Sequence, residues 1–184
     1  MRDNFPKLTP GKLATINSLY PAPTSSLYPN AGRYWRPAAD AYGEMRYNCP
    51  GIFMSGAYPR VGGVNASWNY HWDVLRPENA MNGLGVTHVM EEGAIWGFAK
   101  QPEKALQAMM QAYWTSFIRT RNPNTFKLAT APEWIENYEG GNLKGGNQRI
   151  RFVNNIAKVG MEKVDTAQKE RCGFWASIGS IIGQ

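Results

Sequence analysis

The segment GLGVTHVMEEGAIWG, residues 83–97, holds one of only two histidines in the chain, His88, with Glu91 and Glu92 just after it. An imidazole titrates near neutrality, so it can take and return a proton at ordinary pH, as acyl transfer requires. For that chemistry, one ring nitrogen must meet a nucleophile and the other an orienting carboxylate. Glu91 and Glu92 are close in sequence but need not be that carboxylate. Gly83, Gly85, Gly93 and Gly97 fence the segment, permitting unusual backbone angles and close approach of other chain. His88 and Glu91 also have an i, i+3 spacing that could share a metal. However, the segment offers no second histidine, its glycines oppose a helix, and His71 is the only other imidazole, so neither metal nor cofactor is expected.

No nucleophile motif accompanies the histidine. No G-x-S-x-G occurs in the 184 residues. Ser55 in MSGA and Ser180 in IGSIIG lack the motif's glycines two residues before and after the serine, and Ser180 follows the histidine instead of preceding it. Cys49 and Cys172 are too few for a disulfide framework and lack CxxC or His-Cys metal spacing, and they do not reveal a redox compartment.

The elements that must position His88 follow from pattern. SWNYHWDVL (67–75) alternates Trp68, Tyr70, Trp72 and Val74 with Asn69, His71 and Asp73, as a half-buried strand does. RPENAMNGLG then reads as a turn-rich link, which puts His88 on a loop after a strand, where binding and catalytic groups concentrate. Pro102 and Glu103 open a helix running to about Thr120, with Leu106, Met109, Met110, Tyr113 and Phe117 as its core-facing stripe. GGNQRIRFVNN (145–155) reads as a second strand. EKVDTAQKERCGFWASI (162–178) reads as a closing helix bearing Val164, Ala167, Cys172 and Trp175. Residues 1–37 form a loop-rich lead-in with a short helix at 12–19, and 38–58 read as a broken helix or two helices around Gly43 and Pro50. This order of elements favours an α/β architecture in one domain.

Composition narrows the function classes. Hydrophobic residues make up 43%, with seven Trp, nine Tyr and seven Phe, so the chain is globular rather than disordered. Its net charge of +6 is spread along the sequence, with RTR (119–121) and RIR (149–151) as the densest groups. Nucleic-acid binding usually needs a clustered basic stripe, so no nucleic-acid partner is expected. No segment approaches the ~18 apolar residues of a membrane span, and the first residues lack the apolar core of a secretory signal.

GVTHVMEEGAIWG resembles the histidine loop of the type-B carboxylesterase and lipase family, Gly-Val-x-His-Gly-x-Glu-Leu ending in aromatic-Gly. Gly85, Val86, His88, Glu91, Ile95, Trp96 and Gly97 fit, while Val89 stands where the family favours glycine and Glu92 where it favours an apolar residue. DAYGEMRYNCPG is similar to the family's Tyr-Gly-Asp-x-x-Phe-x-Cys-Pro segment, with Glu44 and Tyr47 as departures. MMQAYWTSFIRTRNPN, PEWIENY and ERCGFW are similar to later family segments, the last in fungal members, and all occur in the family's order.

The resemblance implies the C-terminal portion of an α/β-hydrolase fold, an incomplete sheet with flanking helices, as a single partial domain over 1–184. It implies serine-nucleophile ester hydrolysis in a full-length parent, with His88 as the triad histidine, Glu91, Gly85 and Gly97 supporting its loop, and an ester or lipid as substrate. The nucleophile, the triad acid and the oxyanion glycines would come from a missing N-terminal part, so the chain alone is expected to be inactive, with an exposed sheet edge. A non-catalytic binding or adhesion module of the same fold is the alternative. Secretion is an expectation from fungal relatives, to which the sequon Asn65-Ala66-Ser67 adds little.

Overall fold

The computed structural model describes residues 4–26, 28, 31–57, 67–137 and 148–183. The sequon residues Asn65 and Ala66, the glycine entry at 145–147 and parts of the lead-in lie outside these. Helix α1 (Pro10–Leu19) opens with Pro10 at its first position and Thr9 as its cap, the Thr9 hydroxyl accepting from the Lys12 amide. Helix α2 (Trp35–Gly43) continues without a break through a π-helical turn (Glu44–Asn48) into α3 (Cys49–Ala57). The interruption expected around Gly43 and Pro50 is thus a widened turn, not a gap.

Strands β1 (Tyr70–Asp73), β2 (Gln148–Val153) and β3 (Gly160–Lys163) form a sheet in that order. β1 runs parallel to β2, and β3 antiparallel to it. Tyr70 pairs with Ile150, which pairs with Met161, and Trp72 pairs with Phe152. Because strand side chains alternate, these residues share one face. That face packs with Val74, Met90, Ala94 and the α6 residues Leu106, Met109, Met110 and Tyr113 in one buried cluster. The alternation read in 67–75 therefore marks the core side.

The link after β1 contains a short helix α4 (Pro77–Met81), and the histidine segment ends in another, α5 (Glu92–Trp96), packed on the long helix α6 (Lys104–Thr120). α6 begins two residues later than Pro102, after the Glu103 cap. Phe117 departs from the expected stripe. It is exposed near the helix end, where it meets Trp68 in an edge-to-face contact.

A second cluster gathers Ile16 and Tyr20 from α1 and its end, Ala41, Met45, Cys49 and Ile52 from α2 to α3, and Cys172 and Trp175 from α7 (Thr166–Ser177). Helix α8 (Gly179–Ile182) adds Ile182. Residues 160–163, partly assigned to the closing helix by sequence, form β3 instead. α7 starts only after Asp165, whose carboxylate accepts from the Gln168 amide, and Ala167 faces solvent. Cys49 and Cys172 form a disulfide that closes a separation of 123 residues. A loop of that length removes roughly 4–5 kcal/mol of unfolded-state entropy in the chain-entropy model.

The other sheet face is polar. Glu162 lies 2.6 Å from Arg149 Nε and 2.7 Å from His71 Nδ1, and Arg151 Nε donates to Asp73 at 2.8 Å. Burial alone would raise the Glu162 pKa, but the bonds from His71 and Arg149 outweigh it and hold the carboxyl at about 2. A carboxyl depressed in the folded state stabilises the fold above its ordinary value of 4.5, and that stabilisation is lost as pH falls from there toward 2. Allowing for partial solvent screening, the expected size is on the order of 1–2 kcal/mol. Thermal melts of the parent and Glu162→Gln across this range should therefore differ near neutral pH and converge in acid. A gap that persists unchanged at the acid end would contradict the assignment.

Candidate active site

The histidine loop is held from several directions. Arg36 Nη1, on α2, donates to the carbonyls of Gly83 at 3.1 Å and Leu84 at 3.2 Å. Asn79 Nδ2 donates to the Gly85 carbonyl at 3.0 Å. Met90 is buried in the core, and its sulfur accepts from the Thr87 amide at 3.1 Å. Tyr70 on β1 donates its hydroxyl to Glu91 Oε1 at 2.9 Å. Burial, reinforced by Glu91, pushes the Tyr70 pKa well above its usual value, so the hydroxyl stays a donor. His88 and Val89 are left on the exposed crest between these anchors.

Gly85 and Gly97 are each required by geometry. Gly85 has φ +69°, and a Cβ there would lie 3.2 Å from Arg36 Nη1. Gly97 ends α5 at φ +93°, where a Cβ would stand 2.9 Å from Gln111 Nε2 on α6. Val89, by contrast, is a β-branched residue at φ 62°, a left-handed conformation that costs about 1–2 kcal/mol for L-residues. Val89→Gly is expected to stabilise the chain by about 0.5–1 kcal/mol after glycine's own entropic cost, because Val89 is exposed and loses little packing. A urea midpoint that falls in this variant would show that the backbone is not strained there.

The His88 ring stacks on Tyr47 of the π-helical turn, with centroids 4.1 Å apart and planes 22° from parallel. Among the described residues neither ring nitrogen meets a hydrogen-bond partner, so both remain available at the ring's rim. Tyr47 and His88 border an open recess of ≈ 1240 Å³ that His71 and Glu91 also line. Asn69, Tyr70, His71 and Trp72 all face this recess. The β1 residues Tyr70, His71 and Trp72 point their side chains to alternate faces, so a recess lined by all three reaches the edge of β1 opposite β2.

The serines nearest to a nucleophile motif are not brought to His88. Ser55 donates to the Ile52 carbonyl at 3.1 Å within α3 and accepts from the amides of Asn69 at 2.9 Å and Asn137 at 3.0 Å. It ties α3 to the start of β1. Ser180 lies on α8, far along the chain in the second cluster's helical layer. Among the described residues no cluster of His, Cys, Asp or Glu could hold a metal ion.

Sequence reasoning did not single out Glu44 and Arg171 as a pair. Glu44 is buried in the π-helical turn and accepts from Arg171 Nε and Nη2, both at 2.7 Å, and from the Tyr20 hydroxyl at 2.6 Å. The Glu44 bonds raise the Arg171 pKa further above its already high value. The two residues lie 127 positions apart, and no local signal links them. Glu44 sits among other charged residues, Asp40 and Arg46, so its sequence context does not mark it as the buried one.

No protein-family model matches the chain. It is similar to Secreted lipase 4 of Gibberella zeae, 25% identical over 176 residues, which cover 92% of this chain and 30% of the lipase. Its structure is similar to the crystal structure of Aspergillus niger EstA, with a TM-score of 0.85 and 30% identity, covering 100% of this chain and 35% of EstA. The chain thus spans about a third of the length of either protein. In sequence and in fold, it is lipase- and esterase-like.

Proposed function

We propose that this chain is the histidine-bearing part of a serine carboxylic ester hydrolase of the type-B carboxylesterase kind, with His88 as the general base. The carrying observation is an imidazole stacked on Tyr47 on a strand-following loop, its nitrogens unpartnered among the described residues, beside a large recess along a sheet edge. A serine presented in that recess would give its proton to His88 while its oxygen attacks the ester carbonyl. The imidazolium then protonates the departing alcohol, and the cycle repeats with water to release the acid. Glu91, tied to Tyr70, holds the loop and is not the triad acid. The serine, the acid and the oxyanion donors come from polypeptide outside these 184 residues, which pairs along the edge of β1.

The disulfide supports an oxidising compartment, in keeping with a relative named as secreted, so we place the parent hydrolase outside the cytosol. Short p-nitrophenyl esters test the reading. Turnover in the complete hydrolase should depend on His88, and the 184-residue chain alone should be no faster than free histidine. Rapid turnover by the chain alone would contradict the proposal.

A further inference from the structure

We infer that Tyr47 is the positioning residue for the His88 imidazole, an inference that rests on the reading of His88 as general base. The rings lie 4.1 Å apart at 22°, a stacked contact, which fixes the plane of an imidazole while leaving its edge nitrogens open. No hydrogen bond among the described residues does this for His88, so the stack is the contact that sets its plane.

The platform is built to be rigid. In an α-helix, residues three apart share a face, yet Glu44 is buried and Tyr47 is 43% exposed. The wider π turn, in which the Cys49 amide reaches back to the Glu44 carbonyl, accommodates both demands. On one side Glu44 is gripped by Arg171, Tyr20 and the Gln168 amide. On the other, Cys49, two residues past Tyr47, is bonded to Cys172 beside Arg171. A single turn is therefore fastened to α7 at both ends and offers its free aromatic face to the histidine loop. Such single π turns recur at functional sites.

The test uses two variants and two readouts. Tyr47→Phe keeps the ring, and Tyr47→Leu keeps the bulk without it. In the 184-residue chain, the carbon-bound ring protons of His88, assigned by their loss in His88→Gln, should be shifted upfield by the Tyr47 ring current. Tyr47→Phe should retain that shift and Tyr47→Leu should abolish it. In the complete hydrolase, Tyr47→Leu should lower kcat by roughly 10–100-fold with KM little changed, as expected for a misaligned base, and Tyr47→Phe should stay within about 3-fold of the parent. Equal kcat in the Leu and Phe variants, with His88→Ala inactive, would overturn the positioning role alone. Full activity in His88→Ala would remove the general-base reading and the positioning role with it. Unchanged His88 ring shifts in Tyr47→Leu would show that the stack does not form.

Discussion

His88→Ala in the complete hydrolase is expected to lower kcat on short p-nitrophenyl esters by about 10⁴-fold or more, with far less effect on KM. A serine hydroxyl is a weak nucleophile until an imidazole accepts its proton, and removing that base alone costs nearly as much as removing the whole triad. Under the proposed reading, oxyanion contacts come from other polypeptide, so a residual rate above water should persist. The substitution should leave the fold intact. His88 is exposed, and its ring stacks on Tyr47 with no hydrogen bond among the described residues, so melting temperatures of variant and parent should agree within a few degrees.

Arg171→Met should destabilise the chain by about 3–5 kcal/mol, the cost of stranding a buried carboxylate. Glu44 would keep the Tyr20 hydroxyl, itself held protonated by burial and by Glu44, and the Gln168 amide, but lose both guanidinium bonds. The double variant Glu44→Leu with Arg171→Met removes the charge together with its partner and should recover most of the loss. Urea denaturation of the three chains measures this directly. A single variant within about 1 kcal/mol of the parent would mean that the pair is a solvated contact rather than a buried anchor.

Elements whose signal is periodic were legible in the sequence. The alternation of Trp68, Tyr70, Trp72 and Val74 identifies the sheet's core face, and Leu106 to Tyr113 identify the buried face of α6. Phe117 fits the same spacing, but the buried face of α6 continues through Ser116, which leaves Phe117 on its exposed flank. β3 was not legible, because Gly160, Met161, Glu162 and Lys163 carry no alternating apolar pattern. Its strand state comes from pairing with β2. α4 hides in a turn-like composition, where Pro77 at a helix start looks the same as Pro77 in a loop.

At the candidate site the glycines signalled a special backbone, and Gly85 and Gly97 do adopt positive φ. The contacts that complete the site join residues far apart in sequence. Arg36 reaches the loop from α2, Tyr47 stacks from the π turn, and Cys49 bonds to Cys172. Each depends on how α2 to α3 docks against the rest of the fold, which no local pattern encodes.

A fluorophosphonate probe followed by peptide mapping tests the central claim most directly, since it reports the activated hydroxyl itself. In the complete hydrolase, the label should fall on a serine outside residues 1–184, and His88→Ala should slow labelling by about 10³-fold or more. Labelling of Ser55 or Ser180, or equal rates in parent and variant, would contradict the account.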